Sequence, residues 1–216
     1  MKKIHALVIG ATGATGRELV KLLLQDKDFN QVTIFVRTAP TINHKKLTIH
    51  EIDFKEIEKN QNLIKGNILF SALGTTIKEA GGKDQQYEID YTYQYKFAKI
   101  AAENGVGQLS LVSSVGANAK SLFFYNRIKG DLEEAVKKLN FKKIDIFQPP
   151  ILIRQPELKR KGEKIGIKIL NRLNKIGILK SQKPLSVNTL AAKMLQMGKT
   201  PSNEIVTTLH SGEIDY

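Results

Sequence analysis

The stretch GATGATG, Gly10 to Gly16, constrains this chain more than any other feature: three glycines at a spacing of three, with an apolar run on one side and a helical pattern on the other. "IHALVIG" reads as a strand, and "TGRELVKLLLQ" reads as a helix that gathers Leu19, Leu22 and Leu23 on one side. Glycine weakens both kinds of element, so bare backbone at three fixed points belongs to the turn between them. There each glycine has a mechanical job. Gly10 lets the chain turn sharply out of the strand, Gly13 lets a pyrophosphate approach the backbone, and Gly16 lets the helix pack closely on the sheet. The helix N-terminus offers free N–H groups and partial positive charge to the phosphates, and Thr12 and Thr15 add hydroxyl donors. A glycine turn without a ligand is the bland alternative. The placement between a first strand and a first helix favours dinucleotide binding.

The rest of the chain continues the alternation. "QVTIFVR", "KLTIHEID", "NILFSALG", "QLSLVSSVG" and "IDIFQPPILI" read as strands. Between them lie a short helix over Phe54 to Gln61, a long one over "YEIDYTYQYKFAKIAAENG" that stops at Gly105, and another over "FFYNRIKGDLEEAVKKLN". Strand and helix in turn predict an α/β fold, a doubly wound parallel sheet (Rossmann fold) with helices on both faces. After about residue 154 the pattern changes. A further helix from Ser186 to Gly198 and a closing strand in "NEIVTTLHSGEI" make a small C-terminal addition to a single domain spanning 1–216, and the part after 154 is expected to contribute a substrate or lid region. The chain has no cysteine, which excludes disulfides and thiolate metal sites. The four histidines show no metal-ligand spacing. No apolar run approaches a membrane span, and the start "MKKIHALVIG" is too short for a signal peptide and ends in glycine, so a soluble, cytoplasmic protein with no membrane partner is expected. The net charge of +13 is concentrated: residues 151–183 hold ten basic side chains and two acidic ones. Lysine outnumbers arginine 28 to 6, which favours a solvated lysine-biased surface over nucleic-acid binding.

Arg37 bears on which dinucleotide is bound, a surface arginine at a strand end being the bland alternative. It follows the second strand, 21 positions after Gly16, where an acidic residue would bind the ribose diol of NAD. A guanidinium there suits a 2′-phosphate, so NADP(H) is the expected cofactor. Asp53 ends the third strand and either hydrogen-bonds the adenine amino group or caps a helix. Further on, "SSVG" (Ser113 to Gly116) ends a strand, and "YNRIK" puts Tyr125 and Lys129 on one helical face. A tyrosine is a poor acid or base near neutrality, and a nearby ammonium stabilises its phenolate. A serine at the strand end can hold a substrate carbonyl oxygen while the phenol gives it a proton. Tyr87, Tyr91 and Tyr95 form a stripe that reads as packing or as a dimer face, so a monomer or a homodimer is expected.

These segments resemble the short-chain dehydrogenase/reductase superfamily, and within it the atypical branch that includes the Tat-interacting oxidoreductase-like proteins. In that branch "LGTT…KAG", "SSKGA" and "YxxxKGE" occur in order; here they read "LGTTIKEAG", "SSVGA" and "YNRIKGD". The resemblance runs from Ile4 to Ile153 and more loosely to the C-terminus. It implies NADPH binding by Gly10, Thr12, Gly13, Ala14, Thr15, Gly16, Arg37, Asp53, Leu73, Gly74, Thr75, Tyr125, Lys129 and Pro149. It also implies a catalytic group of Ser114, Tyr125 and Lys129, with Ser113 as the alternative serine. The superfamily's "Arg-Pro-Gly" after the sixth strand reads Gln148-Pro149-Pro150 here, and the second proline removes a backbone donor. The function expected is an NADPH-dependent oxidoreductase of a small carbonyl compound. The alternative is a non-catalytic NADP(H) sensor, since some members of the branch look regulatory and Pro150 departs from the superfamily's pattern. A sugar-nucleotide epimerase or dehydratase stands third, because about 60 residues after Ile153 leave little room for a substrate domain.

Overall fold

The computed structural model describes residues 3–158 and 183–214. Its strands are β1 (Ile4–Ile9), β2 (Phe29–Val36), β3 (Leu47–Glu51), β4 (Ile68–Ser71), β5 (Gln108–Val112), β6 (Lys143–Gln148), β7 (Leu152–Ile153), β8 (Leu185–Ser186) and β9 (Val206–His210). Seven of them form one sheet in the order β3-β2-β1-β4-β5-β6-β9, and every pairing is parallel. The doubly wound fold expected from the alternation is therefore present. The main helices are α1 (Ala14–Gln25), α2 (Tyr93–Glu103), α3 (Phe124–Val136) and α4 (Val187–Lys199).

β1 explains why its sequence is apolar without a break. Ala6 and Val8 are buried with residues of α1 and α4, while Leu7 and Ile9 are buried with residues of α2 and α3. Successive side chains of a strand point to opposite faces, and both faces here are covered by helices. The order of the strands reverses between β1 and β4. In an open parallel sheet this leaves a crevice beyond the carboxyl ends of those two strands, where ligands bind.

Three local expectations are modified. "IDIFQPPILI" is two strands rather than one: β6 ends at Gln148, Pro149 and Pro150 offer no N–H to continue a ladder, and β7 pairs with β8 in a separate small sheet. The long helix before Gly105 contains a π turn, Glu88–Thr92, ahead of α2. The closing segment is no appendage, since β9 is the edge strand beside β6 and α4 packs on α1. Most of the basic segment, and with it part of the expected lid region, falls at 159–182, outside the described residues.

Candidate functional site

The glycine turn builds the crevice. Gly10 has φ of +79°, and a Cβ there would lie 2.5 Å from the backbone of Ala72, so the turn requires glycine twice over. A Cβ on Gly16 would lie 2.1 Å from the Gly10 carbonyl oxygen. Gly16 thus serves close packing, as expected, but against the turn itself rather than against the sheet. Gly13 differs: a Cβ there would meet only the Gly10 carbonyl oxygen, at 3.3 Å. Gly13 is also the N-cap of α1, and no side chain caps that end. An uncapped helix N-terminus beside open space is the cradle a pyrophosphate needs.

The crevice has two lobes that share Gly13 and the loop Ala72–Thr75 after β4. The first, about 290 Å³, also takes Gly10, Thr12 and Arg37 into its wall and is backed by Phe54 and Tyr93, whose rings lie 5.8 Å apart. The Tyr93 phenol is pushed up to about 12, first by burial and then by Glu88 and Asp53, with Arg37 opposing. The second lobe, about 100 Å³, is lined by Ala14, Thr15, Ser113, Tyr125, Lys129 and Arg154, among others. Tyr125 and Lys129 do share a face of α3, with the ammonium 6.0 Å from the ring centre.

Lys129 is fully buried and lies 3.4 Å from Asp90 Oδ1. Burial works against its charge, but Asp90, Tyr125 and Glu133 outweigh it and hold the ammonium above its ordinary range. Ser113 is buried in the second lobe and donates its hydroxyl proton to Glu133, whose two oxygens each accept from Gln148 Nε2 at 3.0 Å. Ser114 lines neither lobe, and its hydroxyl donates to the adjacent Val115 carbonyl at 3.4 Å. The structure therefore brings Ser113, not Ser114, together with Tyr125 and Lys129. Asp53 is the N-cap of the 3-10 helix Phe54–Leu63, accepting from the Lys55 N–H at 2.8 Å, and it too is outside both lobes. Pro149 is buried and lines neither.

Among the residues of the site that escaped the sequence reading are Phe54, Tyr93, Asp90 and Arg154. Phe54 and Tyr93 look like ordinary core aromatics in sequence. Asp90 had a readable signal, because Gln86, Asp90 and Gln94 recur at a spacing of four among the aromatic side chains of Tyr87, Tyr91, Tyr93 and Tyr95. All three are buried.

The family described as NAD(P)H-binding matches residues 10–142. Protein FMP52-1, mitochondrial, of Scheffersomyces stipitis is 37% identical over 182 residues, covering 82% of this chain and 76% of that protein. Protein HTATIP2 of Rattus norvegicus is 30% identical over 177 residues, covering 80% and 73%. Among solved structures, a UDP-N-acetylglucosamine 4-epimerase from Methanobrevibacter ruminantium M1 superposes with a TM-score of 0.72 at 17% identity, covering 97% of this chain and 77% of that one. The Bordetella bronchiseptica enzyme WbmH in complex with NAD+ gives 0.73 at 14% identity, covering 98% and 77%. At such identities these structures share the fold. The expectation of a cytoplasmic location is corrected by the relatives, since the FMP52 proteins of several yeasts are named mitochondrial. That expectation rested on the absence of a long apolar run, which bears on membrane insertion and secretion but not on entry into an organelle. Among the described residues no helix is long and apolar enough to cross a membrane.

Proposed function

The chain belongs to the NAD(P)H-binding family of short-chain dehydrogenase/reductase-type proteins, and from that premise we propose that it is an NADPH-dependent reductase of a small carbonyl compound. One observation carries the reading: a single crevice joins the Gly13 cradle to Arg37 at one end and to Tyr125 and Lys129 at the other. Gly13, Thr15 and the first turn of α1 would hold the pyrophosphate, and Arg37 the 2′-phosphate. When bound, the reduced cofactor supplies hydride to the carbonyl carbon. The protein's part is to bind, orient and protonate. Tyr125 gives its phenolic proton to the carbonyl oxygen, and the Lys129 ammonium stabilises the phenolate left behind. Ser113 lines the same lobe, and because its one hydroxyl proton is given to Glu133 in the structure, it holds the carbonyl oxygen only by turning that proton from Glu133 to the substrate.

The test is a fluorescence titration of the purified protein with NADPH and NADH, followed by aldehydes, ketones and quinones. NADPH is expected to bind more tightly. Arg37→Asp is expected to cancel or reverse that preference, a change of about ten- to a hundredfold as charge-assisted bonds are lost. Equal affinity for both cofactors in the native protein would overturn the NADPH assignment. Tight NADPH binding with no oxidation by any carbonyl compound would replace the reductase by a cofactor sensor.

A further inference from the structure

One charged residue of the crevice has no task in the proposed reduction. Two of the described residues that line the second lobe are cationic, Lys129 and Arg154. Lys129 is fully buried and faces Asp90 and the Tyr125 ring. Arg154 is half-buried and sits between two anchors. Before it, Ile153 pairs with Ser186 of β8. After it, Gln155 Nε2 donates to the carbonyl oxygen of Ala14, the first residue of α1, at 3.0 Å and to Glu18 Oε1 at 2.9 Å. Glu157 adds an ion pair with Arg17 at 3.0 Å. An exposed ion pair contributes little, so the bonds of Gln155 are the attachment that counts. The strap Arg154 to Glu157 is thus tied to the first turn of α1, and Arg154 lines the same lobe as Gly13, Ala14 and Thr15. A pyrophosphate in that cradle would bring two negative charges. The N-terminus of α1 answers them with a partial charge of about half a unit, and no side chain caps it. Arginine is the scarcer cation in this chain, 6 against 28 lysines, and its planar fork grips two phosphate oxygens where an ammonium offers a point charge.

We infer that Arg154 is a cofactor-binding residue that grips the pyrophosphate together with the backbone N–H groups of α1, and that Gln155 is the positioning residue that fixes the strap carrying it. The inference rests on the reading that the glycine cradle holds the pyrophosphate. It is independent of which dinucleotide is bound and of whether a carbonyl compound is reduced. The bond from Gln155 to Ala14 favours the pyrophosphate over an anionic group of the substrate, because the chain that carries Arg154 meets α1 at the cradle.

Three ligands titrated against the full chain test it: NADPH, NADH, and adenosine 2′-monophosphate, a fragment that keeps the 2′-phosphate and has no pyrophosphate. Arg154→Met should weaken NADPH and NADH by one common factor, about ten- to a hundredfold, and leave the fragment's affinity as it was. Arg154→Lys should fall between that variant and the native protein. Gln155→Leu should weaken both dinucleotides by a smaller common factor, since it loosens the strap and keeps the charge. Arg37→Asp supplies the contrast: it should weaken NADPH and the fragment and spare NADH. Circular dichroism checks that each variant is folded. Native affinity of a folded Arg154→Met protein for both dinucleotides would overturn the inference. So would an equal loss for the fragment, which marks a general disturbance of the crevice. So too would native dinucleotide affinity with a raised KM for carbonyl compounds that carry a carboxylate, which would make Arg154 a substrate contact. Should Arg154→Met fail to fold, Arg154→Lys decides by the same comparison. Gly13→Val, run beside them, tests the cradle: undiminished binding there takes the inference down with the cradle reading, whereas lost binding there and native binding in Arg154→Met fells the inference alone. If the native protein binds NADPH and NADH equally, or reduces no carbonyl compound, only the NADPH assignment or the reductase reading falls, and the common loss still decides for or against Arg154.

Discussion

Gly16 and Gly13 look interchangeable in the sequence, yet a methyl group would meet opposite surroundings at the two. At Gly16 it would collide with the Gly10 carbonyl oxygen, so Gly16→Ala should destabilise the fold by about 1–3 kcal/mol as the turn is forced apart. Urea unfolding measures this. At Gly13 it would face the open crevice, so Gly13→Val should stay folded by circular dichroism and lose NADPH binding by fluorescence titration. Undiminished binding by a folded Gly13→Val protein would mean that the glycine serves only the turn. At the other end of the crevice, Tyr125→Phe removes one hydroxyl and keeps the ring. Turnover should fall by about 10²–10⁴, the usual contribution of general acid catalysis, with NADPH affinity nearly unchanged. Lys129→Met should lower both, as befits a cation that faces the tyrosine and lines the second lobe.

Among the elements, the 3-10 helix Phe54–Leu63 shows how a local role can resemble a binding role. Its N-cap Asp53 accepts from the Lys55 N–H and stays outside both lobes, while the next residue, Phe54, backs the first lobe. Asp53→Ala should therefore cost about 1 kcal/mol, the ordinary worth of a lost cap, and leave NADPH affinity as it was. Denaturant unfolding and a cofactor titration on the same variant separate the two effects; a tenfold loss of affinity would restore Asp53 to the cofactor site. The π turn makes the complementary point. It gives up regular helical bonding over Glu88–Thr92, and Asp90, buried in its middle, reaches both Thr75 and Lys129.

The stability of the whole molecule should depend on pH through groups remote from the crevice. His5, in β1, is half-buried with Nε2 2.8 Å from Thr33 Oγ1 of β2, and burial lowers its pKa below 6.5. The unfolded chain then takes up the proton first. Stability from this site is complete above pH 6.5 and is lost as the pH falls toward the lower, folded value. The unfolding midpoint in urea should decline over that range, and His5→Gln should flatten the decline. Asp145 acts in the opposite sense. Burial raises its pKa above 3.8 despite Lys143 and Gln108, so the folded chain takes the proton first and its contribution improves as the pH falls from the raised value to 3.8.

What the sequence determined by itself was local. The alternation of apolar strands and amphipathic helices, the glycine turn between the first of each, and Tyr125 and Lys129 on one face of α3 all lie within windows of a few residues, where backbone periodicity alone dictates geometry. Even the break after β6 is written there, since neither Pro149 nor Pro150 has an N–H to continue a ladder. Tertiary structure decided whatever depends on segments far apart in the chain. Gly10 must be bare because the backbone at Ala72, on a neighbouring strand's end, comes within reach of any Cβ. Ser113 and Ser114 are chemically equal. The choice between them follows from how the end of β5 is tied to β6, where the Ser113 N–H donates to the Phe147 carbonyl and Val115 to that of Pro149. Asp90 could be matched to Lys129 only once two helices were packed against one sheet, since a buried charge finds its partner by proximity in space and no local pattern encodes that partner.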